Sequence, residues 1–129
     1  MHRFALACLI AFGALTLDSG RSHAQNLEGS WSGGGAVAMA TGAREHARCR
    51  ARYSRRSNEG YIVNAVCATP SVRAVQTASL HKIGENKFRG TFYNREYGIS
   101  GTIYVVVRGN TQSVRLTSES GWASLTLSR

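Results

Sequence analysis

The sequence predicts an all-β fold: a small antiparallel up-and-down barrel or strongly curved meander sheet of about eight strands, held by one disulfide. Three observations predict it. From Gly29 onward, apolar residues recur at every second position, the period of a strand with one buried face, and not at helical spacing. Turn signals cut that pattern into strand-length pieces: Thr69-Pro70-Ser71, Gly84-Glu85-Asn86, Tyr97-Gly98, Gly109-Asn110 and Ser120-Gly121. Two cysteines, Cys49 and Cys67, stand on either side of a further turn-rich stretch.

Strands are expected over residues 30–39, 44–56, 61–69, 72–83, 87–94, 99–107, 113–118 and 122–127. Val, Ile, Thr, Tyr and Phe dominate them, as a pleated, half-buried surface favours. The clearest is 99–107, with Ile99, Ile103, Val105 and Val107 on one face. A single turn near residues 41–44 is the one candidate for helical geometry. Short connections between so many strands favour a meander, and closure into a barrel removes exposed edges. A β-sandwich is the alternative, but it needs longer crossovers.

The hairpin of the second and third strands has one expected register, which a loop with Gly60 in the left-handed conformation would shift by a residue or two. Centring it in Ser57-Asn58-Glu59-Gly60 puts Cys49 opposite Cys67, Ala51 opposite Ala65 and Tyr53 opposite Val63, all on one face. Directly opposed cysteines are within bridging reach when they occupy a non-hydrogen-bonded pair.

Residues 1–24 read as a signal peptide, leaving one domain over 25–129. His2 and Arg3 precede an uncharged apolar run from Phe4 to Leu17, and Ser22-His23-Ala24 offers small residues for cleavage before Gln25. That run is shorter than the ~20 residues a spanning helix needs, and nothing after it predicts a transmembrane span. The expectation is a periplasmic or secreted protein, in which Cys49 and Cys67, the pair left once Cys8 goes with the signal, are bridged. The full chain carries 16 Lys+Arg against 7 Asp+Glu. Removing Arg3, Arg21 and Asp18 leaves fourteen against six, a surplus of eight, with no Asp. Such a charge attracts anionic polymers, lipid head groups or acidic proteins.

Arginine supplies most of that surplus, and its densest pattern lies in the second strand. Arg44, His46, Arg48, Arg50 and Arg52 alternate with Ala47, Cys49, Ala51 and Tyr53. Period two places the cationic set on one face and the small apolar set on the other. Glu45 interrupts the apolar set, and Arg55 and Arg56 extend the charge beyond it. Like charges two residues apart repel, so the row is a candidate anion-binding stripe for phosphate, carboxylate or sulfate groups. A solvated face that discourages edge pairing is the alternative. Tyr53, Tyr61, Tyr93 and Tyr97 nearby invite comparison with single-strand nucleic-acid binders, and export argues against that partner.

Gly29-Ser30-Trp31, at the start of the first strand, resembles the Gly-x-Trp signature that opens lipocalins and related calycin barrels. The resemblance implies that Trp31 plugs one end of the barrel and that an Arg from the last strand packs across it, with Arg129 and Arg115 as counterparts. Avidins and small bacterial metalloprotease inhibitors are smaller barrels of similar construction.

Phe88 and Phe92 share a strand face and belong to the core. Tyr93 and Tyr104 have the opposite parity, so with Arg95 and Tyr97 they are either exposed or the rim of a ligand site at the barrel mouth. Gly33-Gly34-Gly35 lacks the Lys-Ser/Thr and helix of a phosphate-binding loop and marks a bend or close backbone approach. His46 and His81 with two bridged cysteines do not make a zinc site, and no cofactor motif is present. Without Asp after residue 24, and without a nucleophile motif beside either histidine, the chain reads as non-catalytic. The leading expectation is an exported binding protein whose arginine row meets an anionic envelope component or acidic partner. The alternatives are a barrel-type protease inhibitor acting through residues 25–28 and a calycin holding a small ligand among Ala47, Ala51 and Ala65.

Overall fold

The computed structural model describes Gly13 and residues 26–129; the expected signal peptide lies outside the described residues. Eight strands follow in chain order: β1 (Gly29–Met39), β2 (Arg44–Arg55), β3 (Gly60–Ala68), β4 (Arg73–Gly84), β5 (Lys87–Asn94), β6 (Ile99–Arg108), β7 (Thr111–Ser118) and β8 (Gly121–Ser128). Each pairs antiparallel with the next, and β8 pairs with β1, so the sheet is a closed barrel. The expected ends agree to within two residues, because the turn chemistry that limits each strand is local. Residues 40–43 form a turn and not a helix. Among the described residues no helix is long and apolar enough to cross a membrane.

The hairpin register is the expected one. Cys49 pairs with Cys67, Ala51 with Ala65 and Tyr53 with Val63, and Cys49 and Cys67 form the disulfide. The bridge ties neighbouring strands within the barrel wall and faces the interior.

Closing a sheet of this size forces strong curvature, and glycine supplies it at the seam. A methyl group on Gly33 would overlap the Thr126 carbonyl, and one on Gly35 would overlap that of Ser124. The glycine run is thus where β1 comes close against β8, the close-approach reading of the sequence.

The two ends of the barrel differ. The turns β2–β3, β4–β5 and β6–β7 lie at one end, together with residues 26–28 and Arg129. That end is filled: Leu27, Trp31, Tyr53, Tyr61, Phe88, Val107 and Leu127 are all buried there. Trp31 donates through Nε1 to the Leu27 carbonyl at 2.8 Å, and the Leu27 N–H donates to the Tyr61 hydroxyl at 3.3 Å. Tyr53 meets Trp31 edge-on, centroids 6.3 Å apart, and Phe88 meets Tyr61 likewise at 5.7 Å. Arg129 lies 4.3 Å from the Trp31 ring centroid. Trp31 therefore plugs this end, and Arg129 is the arginine across it. Arg115 stands instead on the outside of β7, opposite Tyr104 and Ser124.

Candidate functional site

The other end is open because its inward residues are small. Ala74, Ala123 and Gly121 line it where the closed end has aromatic rings, and the deeper wall uses Ala51, Ala65 and Ala78. The result is a cavity of about 400 Å³, within the size range of small-molecule sites. Below it a narrower space of about 40 Å³ continues toward the plug. Cys49, Cys67, Gln76, Phe92, Leu116 and Leu125 border both, so the disulfide forms part of the cavity floor.

The wall is mostly apolar, with Val37, Val72, Phe92, Ile99, Leu116 and Leu125 among its members. Its polar groups are neutral: Thr69, Ser71, Gln76, Asn94, Tyr97, Ser118 and Ser120. Asn94 is buried and accepts the Tyr97 N–H through Oδ1 at 3.1 Å, which leaves its amide nitrogen as a donor at the wall. Gln76 presents both a donor and an acceptor nearer the floor. Among the described residues no Arg, Lys, His, Asp or Glu lines the cavity, and the lining offers hydrogen bonding and apolar contact. Among the described residues no group of three or more His, Cys, Asp or Glu is placed to hold a metal.

One carboxylate secures the rim from behind. Glu45, at the start of β2, accepts the Ser71 hydroxyl at 2.7 Å. Hydrogen bonds from Ser71 and then Thr69 hold its carboxyl below the usual carboxylate range. The clamp sets the β3–β4 loop, whose Thr69, Ser71 and Val72 line the mouth.

Of the four residues expected at the rim, the cavity takes one. Tyr97, on the β5–β6 loop, lines the mouth. Arg95 is exposed on the same loop and does not line the cavity. Tyr93 and Tyr104 are on the outer wall: their strands turn Phe92 and Ile103 inward, and parity sends their neighbours out. Tyr104 there lies under Arg89, 5.8 Å from its ring centroid. Tyr93 is exposed and Tyr104 half-buried on that outer wall.

The cationic row is placed as its alternation requires. Arg44, His46, Arg48, Arg50 and Arg52 are exposed on the outside of β2, while Ala47, Cys49, Ala51 and Tyr53 are buried inside. Their outward neighbours on β1 are Ala38, Ala36, Gly34, Ser32 and Ser30. On β3, Ala68, Val66 and Asn64 stand opposite Arg48, Arg50 and Arg52. No carboxylate therefore stands opposite any member on either flanking strand. Arg52 donates to the Ser30 hydroxyl at 3.2 Å, and Arg44 reaches over Ala38 to the ring of Trp122, 5.6 Å from its centroid. Tyr53 and Tyr61 are buried at the plug, so they offer no stacking platform beside the row.

Two features escaped the sequence reading. Residues 26–28 are built into the closed end, with Leu27 fully buried, and do not project as an inhibitory segment. Trp122 has outward parity on β8 and is 39% exposed, and it also borders the cavity mouth; its parity against Ala123, Leu125 and Leu127 is the signal that marks it.

No family model matches the chain, and no curated protein matches it. Solved structures do. A de novo designed fluorescence-activating β-barrel is similar with a TM-score of 0.64 at 16% identity, covering 82% of this chain and 95% of that one. The redesigned β-barrel mFAP1, bound to DFHBI, gives 0.70 at 13% identity, covering 82% and 97%. A mutant of the fluorescent protein UnaG gives 0.48 at 11% identity, covering 80% and 95%. At these identities the likeness is one of fold: an eight-stranded antiparallel barrel.

Proposed function

We propose that this protein is a non-catalytic, calycin-like binding barrel that holds a small, uncharged, largely apolar molecule at its open end. The observation that carries the reading is the cavity of about 400 Å³. Burying a charge against such a wall would be costly, whereas an apolar body gains from it and the Asn94 and Gln76 amides orient it. Trp31 under Arg129 at the opposite end supports the calycin reading, and mFAP1 bound to DFHBI is a barrel of similar fold with a small molecule. A disulfide persists in oxidising compartments, which supports a periplasmic or secreted location.

The test is binding of Nile red, a neutral apolar dye, followed by its fluorescence. Binding that Ala123→Phe and Ala74→Phe abolish, while the fold and melting temperature persist, is the expected result. Dye that fails to bind, or that binds both filled variants as well as the wild type, overturns it.

A second reading belongs to the outer wall: the row on β2 engages an anionic component of the envelope or an acidic partner. It is favoured by the absence of any facing carboxylate on β1 or β3. A field of this kind is screened by salt. Association with isolated envelope fractions should thus fall steeply as salt rises, and salt-independent association would remove the reading.

A further inference from the structure

The row forms one wall of a trough. Its floor is the outward face of β1, where Gly34 and Ala36 carry almost no side chain; beyond them Ala38 is buried where Arg44 crosses to the Trp122 ring. Its far wall is β8, where Ser128, Thr126 and Ser124 stand opposite Ser32, Gly34 and Ala36. Reading across the barrel, Arg50 faces Ser32 and then Ser128, Arg48 faces Gly34 and then Thr126, and His46 faces Ala36 and then Ser124. Two strand spacings separate the walls, or ~10 Å, room for one extended polymer. At the open-barrel end of the trough Trp122 is 39% exposed and lies beside Ala38.

We propose that this trough binds a linear acidic polysaccharide; the proposal rests on the anion-binding reading of the β2 row. Each wall answers one part of such a chain. Guanidinium forks on one side match carboxylates, and arginine does this in two parallel hydrogen bonds where lysine cannot. Hydroxyls on the other side pair with ring hydroxyls, and Trp122, whose ring Arg44 overlies on one face, offers its remaining surface to the C–H face of a sugar ring. The small floor residues let the chain approach the backbone.

The shape of the row suits a chain better than a flat partner. Alternate residues repeat every ~6.7 Å along a strand, and barrel strands tilt by roughly 35–45° from the axis. The row therefore winds around the wall. A plane touches a cylinder along one line parallel to its axis, so a bilayer meets only part of the row, whereas a flexible chain follows all of it. An acidic polypeptide can follow it too, but it lacks the ring hydroxyls that the β8 wall answers.

The experiment measures binding of the protein to polygalacturonate by calorimetry, with poly-glutamate and phosphatidylglycerol vesicles as parallel probes. The row variant is Arg48→Ser with Arg50→Ser and Arg52→Ser; the charge control is Lys82→Ser with Lys87→Ser and Arg89→Ser, all exposed on β4 and β5. Ala36→Glu blocks the floor with a carboxylate. Polygalacturonate is expected to bind, with affinity lowered about tenfold or more by the row variant and by Ala36→Glu and only slightly by the control. The polymer should also shield the protein from acrylamide quenching of tryptophan, which reports on Trp122 because Trp31 is buried. If poly-glutamate or the vesicles bind as tightly, with the same sensitivity to the variants, the polysaccharide assignment falls and the anion-binding row stands. If no probe binds, or if row and control variants weaken binding equally, both fall.

Discussion

Arg129 lays its guanidinium over the indole of Trp31, 4.3 Å from the ring centroid, and donates to the Glu28 carbonyl at 3.2 Å. The last residue of the chain thus covers the ring that β1 inserts into the barrel end, and joins the first described turn to the last strand. Replacing Arg129 by Ala should cost about 0.5–1 kcal/mol, the range of a cation–π contact at an exposed site. Trp31→Ala should cost about 3–5 kcal/mol, as for a large aromatic removed from a core. Urea unfolding of both variants checks the order; equal losses would contradict it.

The Tyr53 hydroxyl donates to Gln112 Oε1, and both side chains are buried. Gln112→Leu leaves that hydroxyl without its partner, a cost of about 1–3 kcal/mol that is partly offset because it also removes the buried, unpartnered Gln112 amide nitrogen. Adding Tyr53→Phe removes the orphan, so the double variant should be more stable than Gln112→Leu alone. A double-mutant cycle by chemical denaturation measures the coupling.

Burial raises the Tyr53 phenol above its ordinary value near 10, against the smaller opposing effect of its bond to Gln112. A raised value means that the folded protein keeps a proton which the unfolded chain gives up. The associated stability is complete below pH ~10, the ordinary tyrosine value, and declines as pH rises past it. Denaturation midpoints at pH 9 and 11 should show the loss, and Tyr53→Phe should reduce it.

Glu45 behaves in the opposite sense. Its carboxyl is lowered by the Ser71 and Thr69 hydroxyls, so its contribution is present above the unfolded value and lost as pH falls through the folded one. A carboxyl-resolved NMR titration should place Glu45 below the ordinary glutamate value, and Ser71→Ala should return it toward that value. A Glu45 that titrates normally in the wild type would remove the clamp from the rim.

The Cys49–Cys67 bridge spans 18 residues. Closing a loop of this size in the unfolded chain stabilises the fold by about 3 kcal/mol in the chain-entropy view. Replacing both cysteines by Ala should lower stability by about 2–4 kcal/mol. Thermal melts of the wild type with and without reductant should bracket the variant.

Much of the wall was legible in the sequence because its determinants are local. The alternation of Arg44 to Arg52 against Ala47 to Tyr53 defines two faces whatever lies beyond them. A turn centred on Asn58 sets Cys49 against Cys67, a left-handed Gly60 would shift them apart, and the folded hairpin takes the first register. Tyr93 and Tyr104 show the limit of the same reasoning. Parity puts them opposite Phe92 and Ile103, but which face holds a cavity depends on closure.

The strands, their inner and outer faces, the paired cysteines and the outward arginine row could all be read from the order of residues. Each follows from the two-residue period and from turn chemistry. Other relations exist only in the folded molecule. There β8 closes on β1, Arg129 rather than Arg115 covers Trp31, and one end is filled while the other holds a cavity. Folding also sets Ser124, Thr126 and Ser128 across a narrow floor from the arginines. These relations join residues far apart in the chain. Their register follows from barrel closure and from the summed volume of the inward side chains, neither of which is a property of any local stretch of sequence.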